Sequence, residues 1–415
     1  MANATSLRIP RLICNTCRAS ISGSRFATLR AFGTTSWPQH EIRSEPIPQK
    51  YNRNITRGVA RPSQKERISR QYSTASLAPQ PTSSGFAPLP HRRLISLSGA
   101  DAAKFLQGLV TNNVDASSQA SFYSAFLDAR GRVLWDVFVW VWPELVAEKG
   151  DWACYIEVDE GEVEALMKHL KRHKLRSKVQ LSSVSEDELR VWAAWGTASE
   201  LVHEGRRVIA GLKDARGPDM HRYLTSGHTH TVAEDGAEPA DTQEYHLHRY
   251  RCGIAEGPQE IVREAALPME CNIDLWHGID FKKGCYVGQE LTIRTKHTGI
   301  VRKRILPVQL QSPAPPLHTL PEPHTDIKQL DEHGAIKKGR AAGKFVAGIG
   351  DVGLALCRLE NMTSIKVSAE GGTWKPGLEF GCETPDGGVV KVVPVLYDWF
   401  VRRERELWDK NRLRM

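Results

Sequence analysis

Residues 123–142, YSAFLDARGRVLWDVFVWVW, leave a chain few choices. Two apolar runs rich in aromatic and β-branched residues flank Asp128-Ala129-Arg130-Gly131, the pattern of a β-hairpin. Its second half reads as a buried strand. The apolar run is broken by Asp136 and Pro143, and no window of the chain reaches the roughly 18–20 uninterrupted apolar residues that a membrane span needs.

The rest of the chain reads around that hairpin. Ordered structure is expected to begin at RLISLSGADAAKFLQGLVTNNV, where Ser98 and Asp101 suggest a variant capping box ahead of a helix that packs Phe105, Leu106 and Leu109. DWACYIEVD alternates Trp152, Cys154, Ile156 and Val158, predicting a half-buried strand, and Val163, Leu166, Met167 and Leu170 fall at the spacing of an amphipathic helix. Further strands are expected near 189–195 and 207–211. Residues 225–243 form a polar loop whose His228 and His230 have no carboxylate or thiol at ligand spacing. Residues 312–342, with five prolines, read as an inserted loop, and 343–396 as short strands of a small barrel. A terminal helix follows, packing Phe400, Leu407 and Trp408.

Charge is unevenly placed. Of 56 Lys+Arg and 48 Asp+Glu, residues 1–75 hold 13 and 3, leaving 43 and 45 for the rest, a net of −2. The basic character therefore belongs to the N-terminal segment, and a nucleic-acid role for the main body is not indicated. That segment has no acidic residue before Glu41 and spaces arginines through Ser/Thr-rich sequence, the composition of an organelle transit peptide. Arg70-Gln71-Tyr72-Ser73 resembles a mitochondrial presequence cleavage site. The expected mature chain starts near Ser73, in the mitochondrial matrix. Its six cysteines show neither paired metal spacing nor a disulfide framework, which suits a reducing compartment.

The densest unusual sequence is FKKGCYVGQE, residues 281–290. Lys282 and Lys283 could lower the pKa of the Cys285 thiol, and a thiolate is the nucleophilic and metal-binding form. Gly284 and Gly288 permit unusual backbone angles or close approach of a second molecule. The alternative is that Cys285 is a small buried hydrophobe in a tight turn.

LPMECNIDLWHGIDFKKGCYVGQELTIRTKHTGIVRKR (267–304) resembles the signature segment of YgfZ-type folate-binding proteins, defined by K-G-C-Y-x-G-Q-E. The likeness extends through LQGLVTNNV (106–114), YRCGIAEGPQEI (250–261) and GDVGLALCRLE (350–360), covering roughly 94–400. It implies an α+β fold like the aminomethyltransferase of the glycine cleavage system. The implied organisation is a transit peptide (1–72), a linker (73–92), a folate-binding module of two related halves (93–300), a C-terminal β-barrel (301–397, with inserted loop 312–342) and a C-terminal helix (398–415). The implied functional positions are Cys285, Lys283, Gly284, Tyr286, Gly288, Gln289, Glu290 and Arg294. A central tetrahydrofolate pocket would include Thr111, Asn112 and Arg251. Two departures lean away from one-carbon transfer on glycine: the aminomethyltransferases' Asp-Asp pair reads Trp135-Asp136 here, and their pterin-recognising Glu falls at Arg251. Asn113, where many relatives have Asp, is a milder one.

Eukaryotic members of the resembled family are mitochondrial iron–sulfur cluster assembly factors, which implies support of [4Fe–4S] enzymes such as aconitase and lipoate synthase. A [4Fe–4S] cluster normally takes four thiolates, so Cys285 could only share a cluster with a partner such as an A-type iron–sulfur carrier. Redox or sulfur exchange at the thiol is equally allowed. Two other readings stand beside this one: a folate-dependent aminomethyl transferase, and a cysteine-nucleophile enzyme with His297 as base. The expected role is an assembly factor more than an enzyme.

Overall fold

The computed structural model describes residues 84–412 except 119, 201–207, 233–237, 313–316, 318 and 370. The transit peptide expected over 1–72 and the first part of the linker lie outside the described residues. In chain order the first elements are β1 (Gly85–Pro88), β2 (Arg92–Ser98), α1 (Ala102–Gln107), β3 (Phe122–Leu127), β4 (Val133–Trp140), α2 (Pro143–Lys149) and β5 (Ala153–Asp159). Then come α3 (Val163–Lys174), β6 (Gln180–Val184), β7 (Leu189–Trp195), β8 (Val208–Lys213), β9 (Met220–Ser226), α4 (Thr242–Cys252) and α5 (Gln289–Thr298). The last group is β10 (Lys303–Gln311), β11 (Asp326–Gln329), β12 (Gly343–Ile349), β13 (Val352–Arg358), β14 (Phe380–Glu383), β15 (Val389–Pro394) and α6 (Asp398–Arg412).

The strands form a five-stranded sheet in the order β3-β4-β5-β2-β6, a four-stranded sheet in the order β1-β7-β9-β8, and a closed barrel of β10 to β15. The 123–142 hairpin forms as its sequence predicts: Phe122 pairs with Val139 and Ala125 with Asp136, and the turn is held by Asp128 Oδ1, which accepts from the backbone N–H of Arg130 and Arg132. All eight residues of β4 are buried. Trp135, Val137 and Val139 pack on the face beneath α1 and α3, whereas Phe138 and Trp140 join the main core. That core runs without interruption into the barrel through Ile305, Leu306 and Val308. The third cluster, with Phe86, Trp192 and Tyr223, covers the outer face of the four-stranded sheet.

Several expectations are corrected. β5 is buried on both faces: Cys154, Ile156 and Val158 lie in one core, and Ala153 and Tyr155 in the other. The alternation seen in sequence was between two apolar environments, so it is not a half-buried strand. Asp101 does not cap α1. Its Oδ2 accepts instead from the backbone N–H of Lys178 at 2.7 Å, tying the helix start to the segment before β6. The segment read as a linker contains β1, whose Gly85–Pro88 pairs with Trp192–Trp195, because Phe86 is 5% exposed against the Trp192 ring. The segment read as an inserted loop supplies barrel strand β11, where a single inward side chain, Ile327, carries no periodic signal in four residues. α3 buries Leu166 and Leu170 as expected, and α6 buries Phe400 and Trp408.

Burial sets a pH dependence. On α3, burial together with the neighbouring His173 pulls His169 down to about 4, and on α4 burial and Arg251 pull His248 down to about 4. Both are neutral in the fold and take up protons on unfolding below the ordinary value of 6.5. Because the unfolded chain binds more protons, stability falls as pH drops from 6.5 toward 4. Thermal unfolding measured between about pH 7.5 and 5 is expected to show this fall, and His248→Gln to make it shallower.

Candidate functional site

The loop before α5 is built from three backbone attachments. Thr111 Oγ1 donates to the Gly278 carbonyl at 2.6 Å, the backbone N–H of Asp280 donates to the Thr111 carbonyl at 3.1 Å, and Asn112 Nδ2 donates to the His277 carbonyl at 2.8 Å. Farther on, the N–H of Val287 donates to the Gly108 carbonyl at 3.1 Å. Between these ties, Lys283 Nζ reaches inward to the carbonyls of Gln107, Val110 and Asn112 at 2.9, 2.6 and 2.6 Å. Burial pulls this amine down to about 7. Three acceptors at these distances nonetheless describe an ammonium, since a neutral amine has only two N–H bonds to give. Its Nζ also lies 4.9 Å from the centre of the buried Tyr286 ring.

Gly288 turns the chain into α5 with φ +80°, and a Cβ there would meet the Asp128 carbonyl oxygen at 2.2 Å. The β3–β4 turn thus seats directly on the motif, and Gly131 of the same turn packs against Gly288 and Leu291. Gly284 differs: it needs no left-handed angle, and a Cβ there meets nothing within 4 Å. Its space lies open beside Cys285, which is exposed. Cys154, Cys252, Cys271, Cys357 and Cys382 are buried, and burial raises all five thiols, Cys252 and Cys382 to about 12. Among the described residues, Cys285 is the outward-facing thiol.

The flanking positions divide by direction. Lys283, Tyr286 and Gly288 face inward, and the Gln289 side chain turns back so that its Oε1 accepts from the Tyr286 N–H at 3.4 Å. Lys282, Glu290 and Arg294 are exposed. Lys283 therefore anchors the loop through the three carbonyls it reaches. His297, the candidate base, is exposed near the far end of α5, and a rise of about 1.5 Å per residue carries it about 12 Å from Gln289. Among the described residues, no group of three or more His, Cys, Asp or Glu could hold a metal ion, His228 and His230 included.

The positions assigned to a folate pocket do not meet. Thr111 and Asn112 are spent on the backbone ties above. Arg251 points away from the centre of the module, since α4 turns about 200° between Arg249 and Arg251. Its carbonyl accepts from Tyr397 Oη at 2.8 Å. Trp135 likewise faces α3, donating from Nε1 to Glu162 at 2.7 Å, while only Asp136 of that pair faces inward and accepts from the Gly257 N–H at 3.0 Å.

The centre is occupied by an ionic network that sequence reading missed. Arg222 on β9 bonds Glu157 on β5, Glu256, and the Tyr245 hydroxyl at 2.6 Å. Arg216 bonds Asp214 and Glu256, each at 2.8 Å, and Arg92 Nε donates to Glu157 at 2.9 Å. Burial works against ionised Glu256, but Arg222, Arg216 and Arg92 outweigh it and hold its carboxyl well below the usual range. Burial pushes Asp136 up, with Arg92 opposing. Alongside, Arg249 forms a two-bond pair with Glu260 at 2.9 and 3.0 Å. The signal available in sequence was Arg222 at the middle of the otherwise strand-like MHRYLTS.

Comparison with known proteins places this geometry. Residues 302–400 match the family described as CAF17, C-terminal beta-barrel domain. The chain is 55% identical to the iron-sulfur cluster assembly factor IBA57 homolog, mitochondrial, of Phaeosphaeria nodorum, over 82% of this chain and 86% of that one. The chain belongs to the IBA57 family. The homolog of the same description in Aspergillus fumigatus is 42% identical over 75% of this chain and 78% of its own. The glycine cleavage system aminomethyltransferase T of Bartonella henselae superimposes with a TM-score of 0.53 at 15% identity, over 77% of this chain and 87% of that one. The α+β aminomethyltransferase-like fold with a C-terminal barrel, expected from sequence, is therefore present.

The two glycines of the motif separate presentation from folding. Gly288→Ala is expected to cost more than about 1 kcal/mol in urea unfolding, and Gly284→Ala to leave stability unchanged. Lys283→Met, which strands three carbonyls, is expected to cost about 1–3 kcal/mol.

Proposed function

We propose that the chain is an iron–sulfur cluster assembly factor of the mitochondrial matrix, and that Cys285 supplies one thiolate to a cluster completed by an A-type carrier. The cluster is cargo, passed on toward [4Fe–4S] enzymes of the aconitase and lipoate synthase type. The observation that carries the reading is the outward thiol beside the open space at Gly284, on a loop anchored by the inward side chains of Lys283 and Tyr286. Iron–sulfur clusters select soft thiolate ligands, and one cysteine supplies one of the usual four. The remaining ligands belong to the partner or to small molecules, and the clearance at Gly284 lets a second protein bring them close.

Kinship supports the same role. The relatives that share 55% and 42% of aligned residues are described as mitochondrial iron–sulfur cluster assembly factors. No helix among the described residues is long and apolar enough to cross a membrane. Likeness to an aminomethyltransferase at 15% identity carries the fold and not the chemistry.

Cys285→Ser is expected to fold with unchanged stability and to lose function. Cells whose only copy carries this variant should show aconitase activity reduced to that of cells lacking the protein. Activity equal to wild type would refute the assignment of the thiol.

A further inference from the structure

Tetrahydrofolate is the group that the aminomethyltransferase-like fold implies for the space between the two sheets. That space is bounded here by Arg92 on β2, Asp136 and Phe138 on β4, and Glu157 on β5 from one sheet, and by Arg222 on β9 and the Asp214–Arg216 turn from the other. Tyr245 on α4 and Glu256 close it from the side. The side chains of Glu157, Asp214, Arg216 and Arg222 are 0% exposed, and that of Glu256 is 2% exposed. A pterin has no room among them.

What fills the space is chemically close to the ligand it excludes. A pterin ring presents a flat aminopyrimidine whose N–H groups suit a carboxylate, and its faces suit aromatic rings. The Arg216 guanidinium has the same attributes: it is flat, donates to Asp214 and Glu256, and lies 4.7 Å from the Phe138 ring centre and 5.0 Å from that of Tyr123. Arg222 covers the Phe138 ring as well, at 4.2 Å. The ions also balance without a guest. Arg92, Arg216 and Arg222 face Glu157, Asp214 and Glu256, three cations against three carboxylates, and burial pushes the neighbouring Asp136 up toward its neutral form. Arg92 Nη1, Tyr123 Oη, Asp136 Oδ2 and Arg216 Nη1 make no hydrogen bond within the protein.

We propose that the central site of this chain is a self-filled pocket, in which the Arg216 guanidinium stands in the place of the pterin and makes tetrahydrofolate unnecessary for the folded, working protein. The inference is independent of Cys285, whose loop is built on separate contacts.

Two measurements on the full mature chain decide it. Thermal unfolding of wild type with about 1 mM 5-formyltetrahydrofolate is expected to show no saturable shift, whereas binding at a Kd of about 10 μM would add about 2.7 kcal/mol and move Tm by several degrees. Arg216→Ala is expected to lower Tm, and methylguanidinium, at concentrations that do not stabilise wild type, to raise the variant's Tm in a saturable way. A saturable rise of wild type with the folate overturns the proposal. So does an Arg216→Ala variant as stable as wild type, or one that methylguanidinium does not restore. Should Arg216→Ala not fold, Arg216→Lys takes its place: it keeps the charge but not the planar fork, and is expected to unfold several degrees below wild type. Equal stability of Arg216→Lys contradicts the proposal.

Discussion

Arg222 joins the two sheets of the main module. From the middle of β9 it bonds Glu157 on β5 and Glu256 in the segment after α4, so a single guanidinium ties three parts of the chain that are distant in sequence. Its side chain is 0% exposed, and such a charge is tolerable because Glu157, Glu256, the Tyr245 hydroxyl and the Phe138 ring surround it and outweigh the neighbouring Arg216. Breaking one partner leaves an uncompensated ion in the interior, which costs far more than the pair contributes. The network is therefore a device of registration. It fixes which face of β4 looks at the centre, and hence that Trp135 packs under α3 while Asp136 does not.

The same hairpin carries the consequence outward. Because β3 and β4 are fixed from both faces, their turn at Asp128–Gly131 is a rigid seat, and Gly288 rests on it at a distance that admits no side chain. Lys283 pins the other flank to the Gln107–Asn112 carbonyls. Between these points Gly284 and Cys285 have no such attachments and face solvent. A motif of eight residues thus divides into anchors and a presented thiol, and the division follows from which atoms the scaffold has already taken.

Much of this was legible in sequence. Residues 123–142 announced a buried hairpin, and the 163–170 periodicity announced α3. KGCYVGQE located the site, and its likeness to a known family supplied the fold. The direction in which each motif residue faces was not legible, because Lys283 and Lys282 look alike until the carbonyls of a loop some 170 residues earlier surround one of them. The central network was hidden for a related reason: Arg92, Glu157, Asp214, Arg216, Arg222 and Glu256 come from separate elements, and each alone reads as a solvated charge. β1 and β11 were lost because four residues are too few to show a period. The departures at Trp135 and Arg251 were real in sequence, but both side chains turn away from the place they were thought to alter.

If Cys285 completes a ligand set that no other described residue of this chain supplies, the decisive measurement is anaerobic cluster reconstitution on an equimolar mixture of the protein with an A-type carrier. The visible absorption of the cluster would be followed across the co-eluting complex on size exclusion. The account predicts a coloured heteromeric complex with wild type and none with Cys285→Ser. A complex of equal colour and stability formed by the serine variant would contradict it.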